Sequence, residues 1–584
     1  MSAAQLAIRL RCVFACGVVS ACGTTPFEAT PQTNPDASIA GQSGSGGNGA
    51  VGSGGAGASG NGGAGAKAGA GGSAGAGAGG GSGNGVGGGG GVDVDAGDGG
   101  DGAPACDETK APSVESCLVT NERAIFVMKG AINGNGTKET PLGTIVGGLA
   151  AAKTAGLKRV IVCNATYPEN VAIAAADSGV GIYGGFSCPV SGAGMDAGTG
   201  WDYTPTVHAV VAPPSGSALT ITGATSKITI SDMDLTSANA PAGASSIAAI
   251  VVNSDATFLR VNVTAGTGGD GAPGAPGTAG APGTDPSMAT AAKAAVCTSP
   301  PATQAGGSWS GGVSSCGSKG GKGGDSASNA QGDDGENGVP QIDVTPANVK
   351  NGGGGATMQG ADKDGTMGGR GSDGVVGTTG PQAPPAGVVS TSGYTPADGQ
   401  PGTDGHVGQG GGGGGASFGS LTCAGASGGA GGMGGCGGTH GEAGKGGGAS
   451  IALLVWDSAV TLDTVALKSA NGGKGGKGGD GGGAGNGATG ASGGAGDAAN
   501  HIGSGGQGGP GGNGGNGGSG SGGDGGPSYA LAYHGTKPIE VNASAPAFGV
   551  GGAKGSGGAV GASRLTPAAD GKDGASQDRF EVKP

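Results

Sequence analysis

Over long stretches of this sequence glycine returns on a three-residue rhythm, and no other feature narrows the available folds as much. Residues 472–480 read Gly-Gly-Lys-Gly-Gly-Lys-Gly-Gly-Asp, and residues 508–516 read Gly-Gly-Pro-Gly-Gly-Asn-Gly-Gly-Asn. Three residues per turn is the polyproline II period, and glycine on two of three faces would let such helices pack side by side with the third face outward. The alternative is a mobile chain. Ordering the 185 residues of 265–449 costs roughly 280 kcal/mol at about 1.5 kcal/mol each, with almost no apolar area to offset it. Both readings stay open at this level. Glycine is 152 of 584 residues, aromatics are 3% and charged residues 12%, which argues against an ordinary multi-domain enzyme. The formal charge is −13 with lysine and arginine scattered; no basic stripe neutralises successive phosphates, so a nucleic-acid partner is not expected.

Short aliphatic segments interrupt the glycine. Residues 125–128 and 160–162 read as strands, 144–155 as a short helix with Ile145 and Leu149 on one face, and Val171 with Ile173 and Val180 with Ile182 alternate with period two. Four segments overlay as an internal repeat: 217–236, 246–264, 450–469 and 528–542. The second and third match best. Ser246, Ile247, Val251, Ser254, Thr257, Val261 and Val263 correspond to Ser450, Ile451, Val455, Ser458, Thr461, Val465 and Leu467, a constant shift of 204. One such rung cannot bury its aliphatic row, so the copies must stack.

The N-terminus carries Arg9 and Arg11 and then a ten-residue apolar stretch, 12–21, the order of a secretory signal peptide. Ten residues are too few to span a bilayer. Val19-Ser20-Ala21-Cys22 resembles the lipobox of bacterial lipoproteins, which implies lipid on Cys22 and attachment to a membrane. Gly23 after the cysteine, rather than an aspartate, implies by the same resemblance the outer membrane and cell surface of a Gram-negative host. Eight cysteines remain beyond Cys12, Cys16 and Cys22. An even number in an exported chain reads as disulfides with 105 possible connectivities. The simplest pairs sequence neighbours: Cys106 with Cys117, Cys163 with Cys188, Cys297 with Cys316, and Cys423 with Cys436. No C-x-x-C occurs, so no structural zinc site is expected.

Gly136-Thr137-Lys138-Glu139-Thr140-Pro141-Leu142-Gly143-Thr144-Ile145, Val160-Ile161-Val162 and Ala165-Thr166-Tyr167-Pro168-Glu169-Asn170-Val171 resemble the opening of right-handed parallel β-helix (pectin-lyase-like) surface proteins. That resemblance implies an all-β fold whose open end is capped by the helix. The expected organisation is a signal peptide at 1–21, a Gly/Ala/Ser-rich flexible tether at 22–105, a β-helix at 106–264, a Gly-rich insertion at 265–449, a rung at 450–470, a second insertion at 471–527, a rung at 528–548 and a Gly-rich tail at 549–584. The six Gly-X-Y triplets of 268–285 are too few for a collagen rod and read as loop.

Catalytic signals are weak. Ser417 sits in a formal G-x-S-x-G, a pattern that chance supplies often in so glycine-rich a chain and that Ser73 matches equally, without the strand and helix a nucleophile elbow needs. Residues 368–376 match, and 320–327 nearly match, the calcium-binding nonapeptide of RTX proteins, which implies weak Ca2+ contact at Asp373 or Asp325; isolated copies lack the tandem neighbours such sites require. The acidic run Asp93, Asp95, Asp98, Asp101 lacks EF-hand spacing and reads as solvated linker. Asp232 and Asp234 are the best carboxylate pair, two apart on a strand and with no basic residue nearby in sequence. The expectation is a non-enzymatic surface lipoprotein with a structural, adhesive or low-specificity binding role, held to a membrane by lipid, with cell-surface polysaccharide or other surface proteins as partners and no cofactor or metal. A polysaccharide lyase or hydrolase on the same scaffold is the alternative.

Overall fold

Strands form where the aliphatic alternation predicts them. The structure, a computed structural model, describes residues 106–188, 200–284, 286–310, 312, 314–340, 350–356, 363–384, 386–559 and 566–583. The expected signal peptide, lipidated Cys22, tether and acidic run all lie outside the described residues. β1 (Ile125–Val127) precedes α1 (Ile145–Ala155), the one α-helix among the described residues. The Thr144 hydroxyl accepts the Gly147 N–H at 3.1 Å, and the Glu169 carboxylate takes the N–H groups of Ile145 and Val146, so the first turn is capped twice. Then come β2 (Arg159–Cys163), β3 (Thr166–Tyr167), β4 (Val171–Ala174), β5 (Gly181–Phe186), β6 (Ala209–Val211), β7 (Leu219–Thr222), β8 (Ile228–Ser231), β9 (Met233–Thr236), β10 (Ser246–Val252), β11 (Asp255–Leu259) and β12 (Asn262–Thr264). Short strands β13 (Ala289–Thr290), β14 (Thr303–Gln304), β15 (Ser308–Trp309), β16 (Ser326–Ala327), β17 (Val388–Ser390) and β18 (Gly393–Thr395) punctuate the glycine-rich region. The series closes with β19 (Ser450–Trp456), β20 (Ala459–Asp463), β21 (Ala466–Lys468), β22 (Ser528–His534), β23 (Ile539–Val541) and β24 (Ser576–Glu581).

The fold is all-β with parallel sheets. Sheet A has the order β1-β2-β5-β8-β11-β20-β23, sheet B β3-β6-β9-β12-β21, and sheet C β4-β7-β10-β19-β22-β24. From β2 onward the chain visits A, B and C in that order, circuit after circuit. The 204-residue shift is the observed register: Ser246 pairs with Ser450, Ile247 with Ile451, Val251 with Val455, Thr257 with Thr461 and Val263 with Leu467. Left-handed residues turn the corners. Gly223, Asn253, Asp457 and Gly535 stand between C and A; Asp232, Arg260, Thr464 and Asn542 stand after the A strands, all at positive φ.

Inward side chains stack into rows. In sheet A one row runs Ile125, Val160, Ile182, Ile230, Phe258, Leu462 and then Glu540; in sheet C one runs Val171, Leu219, Ala249, Leu453, Leu531 and then Arg579. The apolar members form one core. At its far end the Arg579 guanidinium grips the Glu540 carboxylate with two hydrogen bonds of 2.7 and 2.6 Å, a charged clamp across the last circuit. At its near end α1 lies so close that a Cβ on Gly148 would meet Val127 and Val160. β24 corrects the expected tail. Its residues Ser576–Glu581 are mostly polar, so no aliphatic alternation marks them, yet they pair with β22 in register.

The long excursions leave at one corner, between B and C, at 265–449, 469–527 and, after Ala547 has bridged to Lys468 of sheet B, 548–575. Ser246, Ser450 and Ser528 sit where the outgoing and returning chains part, each hydroxyl accepting the N–H of Gly266, Ala470 or Gly549 at 2.9–3.0 Å. Beyond, the backbone orders itself. N–H groups of Gly268, Gly271, Gly274, Gly277, Gly280 and Gly283 donate to the carbonyls of Asn471, Lys474, Lys477, Asp480, Gly483 and Asn486. Gly473, Gly476, Gly479, Gly482 and Gly485 donate to Gly448, Lys445, Glu442, Thr439 and Cys436, while Gly435, Gly438, Gly441, Gly444 and Gly447 donate to Gly512, Gly515, Gly518, Ser521 and Asp524. Residues 268–284 are therefore a bonded strand and not a loop: their three-residue rhythm finds partners in the same chain instead of in a collagen trimer. Third-position carboxylates take N–H groups that face outward: Asp270 from Lys474, Asp373 from Asn513, Asp404 from His440, Asp480 from Ala559 and Asp570 from Gly557. The hairpin β17–β18 lies on the outer face of sheet C, with Val389 and Tyr394 against Ile247, Ile451, Leu454 and Tyr529.

Two disulfides match the sequence-local pairing, Cys106–Cys117 and Cys163–Cys188. The other two do not: Cys297 bonds Cys423 and Cys316 bonds Cys436, across 126 and 120 residues. Packing decides this. Val296 and Ala424 exchange backbone hydrogen bonds, and Trp309 packs on Ala430 and Met433, so the returning chain, rather than the sequence neighbour, lies beside each of these cysteines.

Adjacent glycines give a clean test. A Cβ on Gly482 would lie closer than 3.0 Å to the Thr278 carbonyl, whereas one on Gly483 meets nothing within 4 Å. Gly482→Ala is expected to destabilise by roughly 1–3 kcal/mol in denaturant unfolding, and Gly483→Ala to be neutral or stabilising by up to about 1 kcal/mol. The carboxylate bridges predict acid sensitivity. Asp404 and Asp570 are held below the ordinary aspartate value of 3.8 chiefly by the backbone N–H groups they accept, and Asp480 by Lys477 and then Ala559. Their contribution is present above that value and lost as pH falls through the lower folded values, so amide protection factors in the glycine strands, the intrinsic exchange rate at each pH divided by the observed rate, should fall below about pH 4 and stay constant from there to neutrality.

Candidate functional site

Chemistry-bearing side chains gather at the corner between sheets A and B. Asp232 occupies the left-handed position between β8 and β9, and Arg260 the equivalent position one circuit later. Stacking sets them together: Arg260 Nε and Nη2 reach the two Asp232 carboxylate oxygens at 2.6 and 2.8 Å, the Ser231 hydroxyl donates to the same group at 2.6 Å, and the Tyr203 hydroxyl at 3.1 Å. Asp232 is 1% exposed and its partner 27%. Asp232 raises the affinity of Arg260 for its proton, and burial, with Asp232 behind it, pushes the Tyr203 phenol up.

Asp234 lies on β9 in register with Asn262 on β12 and Val210 on β6. It accepts from Asn262 Nδ2 at 2.7 Å and lies 2.8 Å from His208 Nδ1. His208 is held above its ordinary value by that carboxylate against the opposing effect of burial; Asp234 is lowered because His208 and Asn262 outweigh the effect of its own burial. The pair stays partly open, with side chains 18% and 35% exposed.

These contacts revise the sequence reading of the two aspartates. They do not form a free carboxylate pair on one strand, because the backbone turns at Asp232, and both have basic partners. Arg260 and His208 lie 28 and 26 residues away. One circuit separates Asp232 from Arg260, so an overlay of 217–236 on 246–264 carries that signal; nothing in sequence carries Tyr203.

The remaining candidates are dispersed. Ser417 is buried among glycine strands, its hydroxyl accepting the Ala426 N–H at 2.8 Å, with no flanking strand or helix. Asp373 is bonded to Arg370 and the Asn513 N–H, and Asp325 to Lys322 and the Gly306 N–H. Among the described residues the one group of three metal-capable side chains is Cys106, Glu115 and Cys117, whose two sulfurs are joined in a disulfide. An open groove of about 630 Å3 crosses the outgoing chains at Ala240, Thr267, Asn471 and Val550. Glycine and alanine make up much of its wall. Among the described residues no helix is long and apolar enough to cross a membrane. No protein-family model, curated protein or solved structure matches the chain.

Arg260→Ala leaves the Asp232 carboxylate buried without its main partner. It should destabilise by about 3 kcal/mol, read as a lowered melting temperature, and the double substitution Asp232→Ala with Arg260→Ala should recover a substantial part of that loss.

Proposed function

We propose that the chain is a surface-displayed lipoprotein, lipidated at Cys22, whose folded part is a right-handed parallel β-helix with insertions packed as polyglycine II helices, and whose role is structural or adhesive. One observation carries the reading: successive long excursions leave the circuits at the same corner and bond to one another through backbone, so third-position side chains of the outer strands, Asp270, Lys474, Lys477 and Asn513 among them, face outward as a display, while those of the inner strands, such as Ala430, Met433 and Ser519, are buried. An arrangement of this kind offers contact area rather than a shaped site. Asp232, fully engaged by Arg260, Tyr203 and Ser231, is not poised to donate or accept a proton from a substrate. The partners that fit are the membrane, through lipid, and cell-surface polysaccharide or other surface proteins.

The alternative, a carbohydrate-active enzyme, has one observation in its favour: the partly open His208–Asp234 pair on the outer face of sheet B. Among the described residues it lacks a second carboxylate free for acid–base work beside it.

Membrane fractionation with protease treatment of intact cells tests the proposal. The chain should sediment with outer membranes and be cleaved from outside, and Cys22→Ser should move it to the soluble fraction. Soluble recovery of the unaltered chain would overturn the lipid anchor. Turnover of a polysaccharide that disappears in Asp234→Ala would overturn the non-enzymatic role in favour of the enzyme.

A further inference from the structure

The passage from sheet A to sheet B takes one to a few residues at Asp232, at Arg260 and at Thr464, but 22 residues between β5 and β6. The described end of that excursion, Trp201 to Tyr203, and the N-terminal segment border an open cavity of about 290 Å3, lined by Ser113, Ser116, Lys138, Trp201, Asp202 and Tyr203 among others. Its walls are fixed independently of any ligand. Cys106–Cys117 closes the loop that supplies Ser113 and Ser116; Cys163–Cys188 fastens the start of the excursion to β2. Trp201 packs edge-on to Phe126 with centroids 4.9 Å apart, and its indole N–H donates to the Lys138 carbonyl at 3.3 Å. Tyr203 packs edge-on to Phe186 at 5.6 Å and hydrogen-bonds Asp232, while Arg260 Nη2 reaches the Ser113 hydroxyl at 3.4 Å. A cavity held by two cross-links, two aromatic pairs and a buried ion pair is preorganised.

We propose that this cavity is a binding site for a single neutral sugar ring. Size limits the ligand first: the volume lies at the lower edge of the range of small-molecule pockets, enough to seat one ring. Charge limits it next. Lys138 is balanced by Asp202, and Arg260 by Asp232, so the cavity carries no net charge that would draw an ion. The polar groups of the lining are an ammonium donor, a carboxylate acceptor and two serine hydroxyls, hydrogen-bonding of both senses around a ring, and the exposed Val114 and half-buried Tyr203 offer the apolar face its C–H edges need, with Trp201 and Phe186 buried behind. The site extends the proposed surface role by naming a ligand class, and it stands apart from the His208–Asp234 pair.

Titration calorimetry of the full chain with D-glucose, D-galactose, D-mannose, D-glucuronate and glycerol tests it. At least one of the three hexoses should bind saturably at one site, glucuronate several-fold more weakly, and glycerol without saturation. Asp202→Asn and Lys138→Gln should each weaken the hexose about tenfold, the loss expected for one charge-assisted hydrogen bond, with melting temperatures unchanged. No saturable heat with any hexose, equal or tighter binding of glucuronate, a glycerol response like that of the sugars, or unaltered affinity in both variants would each overturn the site. The two proposals fail separately. A chain displayed on cells that ignores all three hexoses overturns only the cavity, and a hexose-binding chain found in the soluble fraction overturns only the anchor.

Discussion

The backbone N–H to carbonyl hydrogen bond is the interaction on which most of this chain depends. Over 265–449 and 469–527 few side chains are available for a core; the main apolar contact there joins Trp309 with Ala430 and Met433. What remains is the peptide group, and in Gly-Gly-X triplets two N–H groups are directed at different neighbours, as Gly472 to Val550 and Gly473 to Gly448 show. Such bonding requires carbonyls to approach the α-carbon closely enough that a Cβ would collide, which holds for both of these glycines. Composition follows from contact distance. Each bond contributes only about 1 kcal/mol net, so a single glycine strand could not stand alone, and the layer is stable only as a set of strands that satisfy one another.

Something must place those strands before their own weak bonds do, and the apolar circuits serve. β12 and β21 lie side by side in sheet B with Val263 opposite Leu467, and the chain leaving them continues the same pairing as Gly268 to Asn471 and Gly271 to Lys474. Hydrophobic burial in the core fixes the relative position of two segments, and the glycine layer inherits it. The core in turn needs closed ends, since a stack of parallel sheets otherwise offers open edges to other chains. α1 closes one. Glu540 and Arg579 close the other from positions that belong to the inward apolar rows, where a charge is tolerable because its partner lies directly across. Along the glycine layer, Pro273, Pro276 and Pro282 occupy exposed positions of 268–284 and offer no N–H to an incoming strand.

How much of this was readable in the sequence depends on how local each signal is. The stacking register was, because the shift from Ser246 to Ser450 preserves type at position after position. So were α1 and the pairs Cys106–Cys117 and Cys163–Cys188, each set by chain that stays within about one circuit. The partners of Cys297 and Cys316 were not, because the returning strands that carry Cys423 and Cys436 arrive through glycine, whose sequence says nothing about which neighbour it will face. β24 escaped notice for a related reason: at the end of a stack the inward position holds Arg579, so the pattern that announces a strand is replaced by the charge that terminates it. Asp232 looked like half of a carboxylate pair because alternation was assumed to continue through a residue where the backbone in fact turns left-handed.

That turn also explains why polar function would collect at the corner between A and B rather than on the glycine face. A left-handed corner residue projects its side chain away from the core, and parallel stacking puts corner above corner, so polar residues one circuit apart meet without entering the apolar interior. Asp232 and Arg260 meet in this way, and Thr464 and Asn542 continue the column. The corner between B and C has been given over to backbone. Its serines bond to glycine and alanine N–H groups, which commits their hydroxyls to holding the outgoing chain apart from the returning one. A side chain used in that way is not free to recognise anything else, whereas the long A-to-B excursion adds Trp201, Asp202 and Tyr203 beside a corner already rich in charge. Two corners of one circuit have thus been put to different ends by the residues that follow them, one gathering polar side chains and the other peptide groups.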